Sequence, residues 1–83
     1  MMMREIWDRL VLEVGIAVDE GYRLIGVSES RSGSAYAFLK RRKGYRMKRP
    51  KLAIRVADHY LPGRSWNPPG RWHDVREIVL DRT

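Results

Sequence analysis

Between residues 40 and 51 the chain places eight cations, Lys40, Arg41, Arg42, Lys43, Arg46, Lys48, Arg49 and Lys51, within twelve residues and without a single acid among them. Such a run suits phosphate, because each lysine or arginine that neutralises one releases a condensed counterion. Arginine adds a bidentate grip on phosphate oxygens or on guanine edges. Tyr45, beside Gly44 in the middle of the run, offers a ring that could stack on an unpaired base, a contact worth about 1–3 kcal/mol. Arg31 and Arg55 carry the same sign onto either side. A charge run is more often a solvated hairpin tip that keeps a small protein in solution and blunts a sheet edge. Solvated faces normally intersperse both signs, however, and this one does not.

A second chemistry is conceivable at Asp58-His59 and His73-Asp74. Two histidine–carboxylate pairs could converge on a metal, or act as general acid and base on a phosphodiester. Two dispersed dipeptides lack the ligand spacing of a metal site, and aspartate at the end of a strand or the start of the next element is ordinary turn and cap chemistry. The residues therefore predict no catalytic group, no metal and no cofactor. Cysteine is absent, which removes disulfides and thiolate ligands. Trp66 and Trp72 flank a proline-rich stretch. Tryptophan is enriched at binding hot spots, yet a core this small needs both rings to close it, and that reading is preferred.

The charge distribution sharpens the first reading. Net charge is +7 over 83 residues. Residues 1–30 hold three basic and six acidic side chains, for −3; residues 31–55 hold ten basic and none acidic, for +10; residues 56–83 hold four of each. So lopsided a field attracts polyanions or acidic protein faces and speeds their encounter. Hydrophobic residues make up 43% of the chain, which fits one folded domain over 1–83 and not a disordered segment. No stretch reaches the ~18 apolar residues of a spanning helix, so no membrane partner is expected. Glu5 and Asp8 interrupt the terminus where a signal peptide would be apolar, and a cytosolic location is the default expectation.

The elements that must position these groups follow from periodicity. Ile6, Trp7, Leu10, Val11, Val14, Ala17 and Val18 recur at helical spacing ahead of Gly21, which predicts an amphipathic helix over 3–20 with a glycine cap. Gly15 within it is either a weak point or a close-packing site. The period then changes to two. Tyr22 to Glu29 reads as a strand, Arg31-Ser32-Gly33-Ser34 as a turn, and Ala35 to Leu39 as a second strand with Tyr36 and Phe38 on one face and Ala37 and Leu39 on the other. Leu52, Ile54 and Val56 alternate through a third strand, leaving Lys40 to Lys51 as a loop or strand extension. Val75 to Leu80 reads two ways: Asp74-x-x-Glu77 resembles a helix cap, while Val75, Ile78 and Val79 favour a strand, which is preferred. The fold expected is α+β, an N-terminal helix on a three- to four-stranded antiparallel sheet, its core built from Leu10, Val14, Val18, Leu52, Ile54 and Val56.

Ser34-Ala35-Tyr36-Ala37-Phe38-Leu39 and Leu52-Ala53-Ile54-Arg55-Val56-Ala57-Asp58-His59 together resemble small phage and mobile-element proteins that carry an S-x-Y-x-x-L strand followed by an I-R-x-S-D-H strand; Ala57 stands where those proteins have serine. The resemblance implies a mobile-element accessory protein, of the pool whose members often inhibit host defence complexes such as CRISPR effectors. Gly44-Tyr45-Arg46 and Ile54 to Tyr60 are similar to the RelE/ParE toxins, in which a helix precedes an antiparallel sheet and basic residues cleave messenger RNA. That second likeness implies a small ribonuclease using His59, His73 and nearby arginines. The combined expectation is a non-enzymatic binder of nucleic acid, or of an acidic or nucleoprotein surface, acting through the basic segment; the alternative is the ribonuclease.

Overall fold

The computed structural model describes residues 4–30, 33–58 and 72–80. Helix α1 spans Arg4–Asp19. Ile6, Leu10 and Ala17 bury one stripe of it, with Trp7 and Val14 packed alongside, because residues three and four apart share a face. The predicted glycine stop is present. The Glu20 amide donates to the carbonyls of Ile16 and Ala17, the Gly21 amide donates to Val18, and Gly21 turns the chain at φ 109°, a conformation that penalises any Cβ. Gly15 is no close-packing site, since a Cβ there would meet nothing within 4 Å.

Four strands follow: β1 (Tyr22–Glu29), β2 (Ser34–Arg41), β3 (Lys51–Ala57) and β4 (Asp74–Val79), lying side by side in that order. The first three pair antiparallel, as expected, with an irregularity between Leu24 and Gly26 that leaves Ile25 without a cross-strand partner. The fourth corrects the expectation of a wholly antiparallel sheet: β4 runs parallel to β3, so the sheet is mixed. Residues 58–73 separate the two strands, enough chain for the crossover of a dozen or more residues that parallel pairing demands. The ambiguous last segment is thus a strand. Asp74 and Glu77 form no capping pair; they make ion pairs with arginines instead.

Strand alternation sorts the sheet into two faces. Ala35, Ala37, Leu39, Leu52, Ile54 and Val56, all fully buried, form the face against α1 and share the core with Ile6, Leu10, Ala17 and Tyr22. Ile78 and Leu80 pack at its edge. Leu10, Leu52, Ile54 and Val56 take the core places expected of them and Val14 packs partly buried against that core, but Val18 is 36% exposed. The stripe facing the sheet is centred on Leu10 and Ala17, which leaves Val18 and Val11 on the helix flank.

Candidate nucleic-acid interface

The basic segment spans the end of β2, the connection 42–50 and the start of β3. Arg41 and Lys51 therefore belong to strands, and only the middle is loop. That loop is anchored along its length. The Arg42 amide donates to the Gly21 carbonyl at 2.8 Å, and the Arg41 amide donates to Pro50 at 2.8 Å. The Tyr45 amide donates to the Arg42 carbonyl at 3.1 Å across a turn in which Gly44 has φ 93°, the positive value that the third residue of a type II turn requires. Met47 packs against the core.

Tyr45 has a structural part beyond the one expected of it. A Cβ on Gly21 would lie 2.4 Å from its Cδ1 atom, so the ring lies directly against the helix cap. The Arg42 guanidinium sits 5.4 Å from the ring centroid, a cation–π distance, and Arg41 Nη1 donates to the Tyr45 carbonyl at 2.9 Å. Arg41, Arg42 and Tyr45 thus brace one another and the cap. The ring stays 44% exposed.

Arg49 is the exception among the eight cations. Its guanidinium lies 3.7 Å from Asp74, and its carbonyl accepts a hydrogen bond from the Tyr22 hydroxyl at 2.7 Å. Arg76 completes this cluster with 2.7 and 3.0 Å hydrogen bonds to Glu20 and a 3.6 Å approach to Asp74. The helix end, the loop end and β4 are tied together there. Hydrogen bonding to Arg76 holds the Glu20 carboxyl below its usual range against the opposing effect of burial. Burial pushes the Tyr22 phenol above its ordinary value. Among the described residues Lys40, Arg41, Arg42, Lys43, Arg46, Lys48 and Lys51 form no ion pair.

Arg55 does not join that set. It lies on the face away from the helix, its side chain 11% exposed and its guanidinium 2.6 Å from Glu77. It also bonds to the Tyr36 hydroxyl; burial raises that phenol, but hydrogen bonds from Ser30, Arg55 and Ser34 outweigh it and leave the pKa lowered. A guanidinium so engaged is a strand tie, with its charge already balanced. Arg31, His59 and Trp66 lie outside the described residues. His73 is exposed and its amide donates to the Lys51 carbonyl, extending the parallel ladder. Among the described residues no three histidine, aspartate or glutamate side chains gather as a metal site would require, and no helix is long and apolar enough to cross a membrane.

The face away from the helix carries groups that reading the sequence did not assemble. Register sets Arg23 beside Lys40 and Lys40 beside Lys51, a row of three cations across three strands. The next row is Gly26, Phe38, Ala53 and Val75, and the row beyond is Ser28, Tyr36, Arg55 and Glu77. Trp72, just before β4, packs on Phe38 with centroids 5.1 Å apart and planes tilted by 40°. Like charges directly opposite one another destabilise a sheet, so the cation row costs the protein stability. Arg23 could not have been found from the charge map, because it lies in the acidic third of the chain. Set against protein-family models, curated proteins and solved structures, the chain matches none.

Proposed function

We propose that this protein is a non-enzymatic binder of polyanions, with nucleic acid its partner, and that the connection 42–50 with the strand ends beside it makes the contact. One observation carries the reading: seven of the eight clustered cations have no acidic partner among the described residues, although the backbone holding them is tied to the helix cap and the core. Unpaired like charges held on a fixed scaffold repel one another until an anion arrives. Inhibition of a host nucleoprotein complex, such as a CRISPR effector, by a mobile-element accessory protein would draw on the same cations. A ribonuclease would need free acid–base groups, and Asp74, one of the candidate carboxylates, is committed to Arg49 and Arg76.

The test uses Lys43, Arg46 and Lys48, which have no role in bracing the loop. Reversing all three to glutamate leaves the melting temperature within a few degrees of wild type, as surface changes away from packed features do. If about five phosphates are neutralised, log affinity for an oligonucleotide falls with log salt at a slope of roughly −3.5 for single strands and −4.5 for duplex. The triple reversal removes most of that slope. An unchanged slope and affinity would return the segment to a solvated loop. Cleavage of RNA that disappears in His59→Ala or His73→Ala would replace the binder with the ribonuclease.

A further inference from the structure

We infer that the sheet face away from the helix seats an unpaired base of a single-stranded nucleic acid in the hollow lined by Ile25, Gly26, Phe38 and Trp72, with its flanking phosphates on the row Arg23, Lys40 and Lys51. The inference rests on the proposed nucleic-acid reading and narrows it to single strands. The hollow has a volume of about 330 Å³ and an apolar lining, within the range of roughly 300–1,000 Å³ of small-molecule sites. Phe38 supplies an aromatic surface fixed by its strand, and Trp72 a second ring packed against it. Every base has a π-face, so a platform of this kind accepts any unpaired base while excluding paired ones.

A glycine borders the hollow. Gly26 lies on an edge strand opposite Phe38, and a Cβ there would meet nothing within 4 Å. Its φ is not positive, so no turn or strain calls for glycine. Glycine weakens a strand interior, and marks either a bulge, as at the irregularity between Leu24 and Gly26, or a place where something approaches the backbone closely. Here it keeps the hollow open.

Charge complementarity identifies the occupant. The cation row adjoins the apolar row along β1, β2 and β3, and Lys40 and Lys51 continue into the basic connection. Successive strand residues of one face lie about 6.6–6.8 Å apart, so the charged and apolar rows are neighbours on a scale that one nucleotide spans. A purely apolar ligand would gain nothing from three cations that have no acidic partner among the described residues at its border. A duplex could reach the cations but offers no free base to the hollow.

The experiment measures binding of oligonucleotides as single strands, as duplex, and as single strands carrying abasic positions. Gly26→Val fills the hollow with a residue that strands favour, and Phe38→Leu keeps apolar bulk while removing the ring. Each lowers single-strand affinity about 5- to 150-fold, with duplex affinity and salt slope unchanged. Abasic positions weaken wild type by a similar factor and leave Gly26→Val unaffected. Arg23→Gln and Lys40→Gln each reduce the single-strand slope by about 0.7. A Gly26→Val protein that melts as wild type does and binds single strands equally well overturns the inference while the basic loop keeps its role. Absence of all nucleic-acid binding overturns both readings.

Discussion

The two faces of the sheet are built from the same alternating strands, yet they are put to different uses. Against the helix, Ala35, Ala37, Leu39, Leu52, Ile54 and Val56 are fully buried and carry no polar atom beyond the backbone. On the other face Ala53 and Ala57 are as deeply buried, but around them stand Phe38, Trp72, Tyr36, Arg55, Glu77 and a row of three cations. A small domain has little stability to spare, so the centre of the face that supplies most of it is apolar, and the polar groups at its border, Tyr22, Asp74 and Arg76, are each paired. The other face is where charge and aromatic surface are accommodated. Arginines elsewhere are balanced, Arg55 by Glu77 and Arg76 by Glu20, whereas the loop cations other than Arg49 have no acidic partner among the described residues.

The comparison is broken most forcefully at Ile54. Ile54→Asp places an unpaired charge in the fully buried centre of the helix-side face and unfolds the protein, and Ile54→Ala costs about 2–5 kcal/mol. Phe38→Leu on the opposite face costs less than about 1.5 kcal/mol, as apolar swaps of similar volume do. Thermal or urea melts rank the three variants. A cooperative melt of Ile54→Asp near the wild-type temperature would mean that the faces are assigned the wrong way round.

A smaller effect tests whether the basic loop belongs to the fold. Gly21→Ala forces a Cβ onto a residue at φ 109° and into the Tyr45 ring, so it destabilises by about 1–3 kcal/mol from backbone strain, with the collision added. In a Tyr45→Ala background the collision vanishes and the strain stays. A double-mutant cycle thus gives a coupling of 0.5 kcal/mol or more, on the order seen for residues in contact. Strict additivity would mean that the loop does not rest on the cap. Because Arg41, Arg42 and Arg49 take part in the brace and the ion pair to Asp74, reversing them along with Arg46 perturbs folding as well as binding.

The smallest effect concerns the balanced arginines. The folded Glu20 carboxyl is held below its usual value, so its pair with Arg76 stabilises at pH above the ordinary carboxylate range and is lost as pH falls through the lowered value. Glu20 is 44% exposed, and solvent screening keeps the contribution to at most about 1 kcal/mol. Glu20→Gln flattens the acid limb of a stability–pH curve by that amount, read from urea midpoints. A curve identical to wild type below pH 5 would remove the pair from the account of how β4 is fastened to the helix end.

Helical spacing before a glycine determined α1 from the residues alone, and alternation determined the first three strands. Both signals are local, and a sixteen-residue helix or a seven-residue strand contains several periods of them. The α+β class and the basic cluster were legible for the same reason, since composition and spacing need no partner. Sequence also separated Tyr36 and Phe38 from Ala37 and Leu39, but alternation cannot say which set the helix will cover. Tertiary structure decided that. It set β4 parallel to β3, because a sixteen-residue connection permits either direction and only packing selects one. It turned Arg55 into a strand tie and Tyr45 into a brace, and register brought Arg23 from the acidic third of the chain into line with Lys40 and Lys51. Cross-strand neighbours lie 17 and 11 residues apart in that row, and no local pattern encodes a contact at such distance.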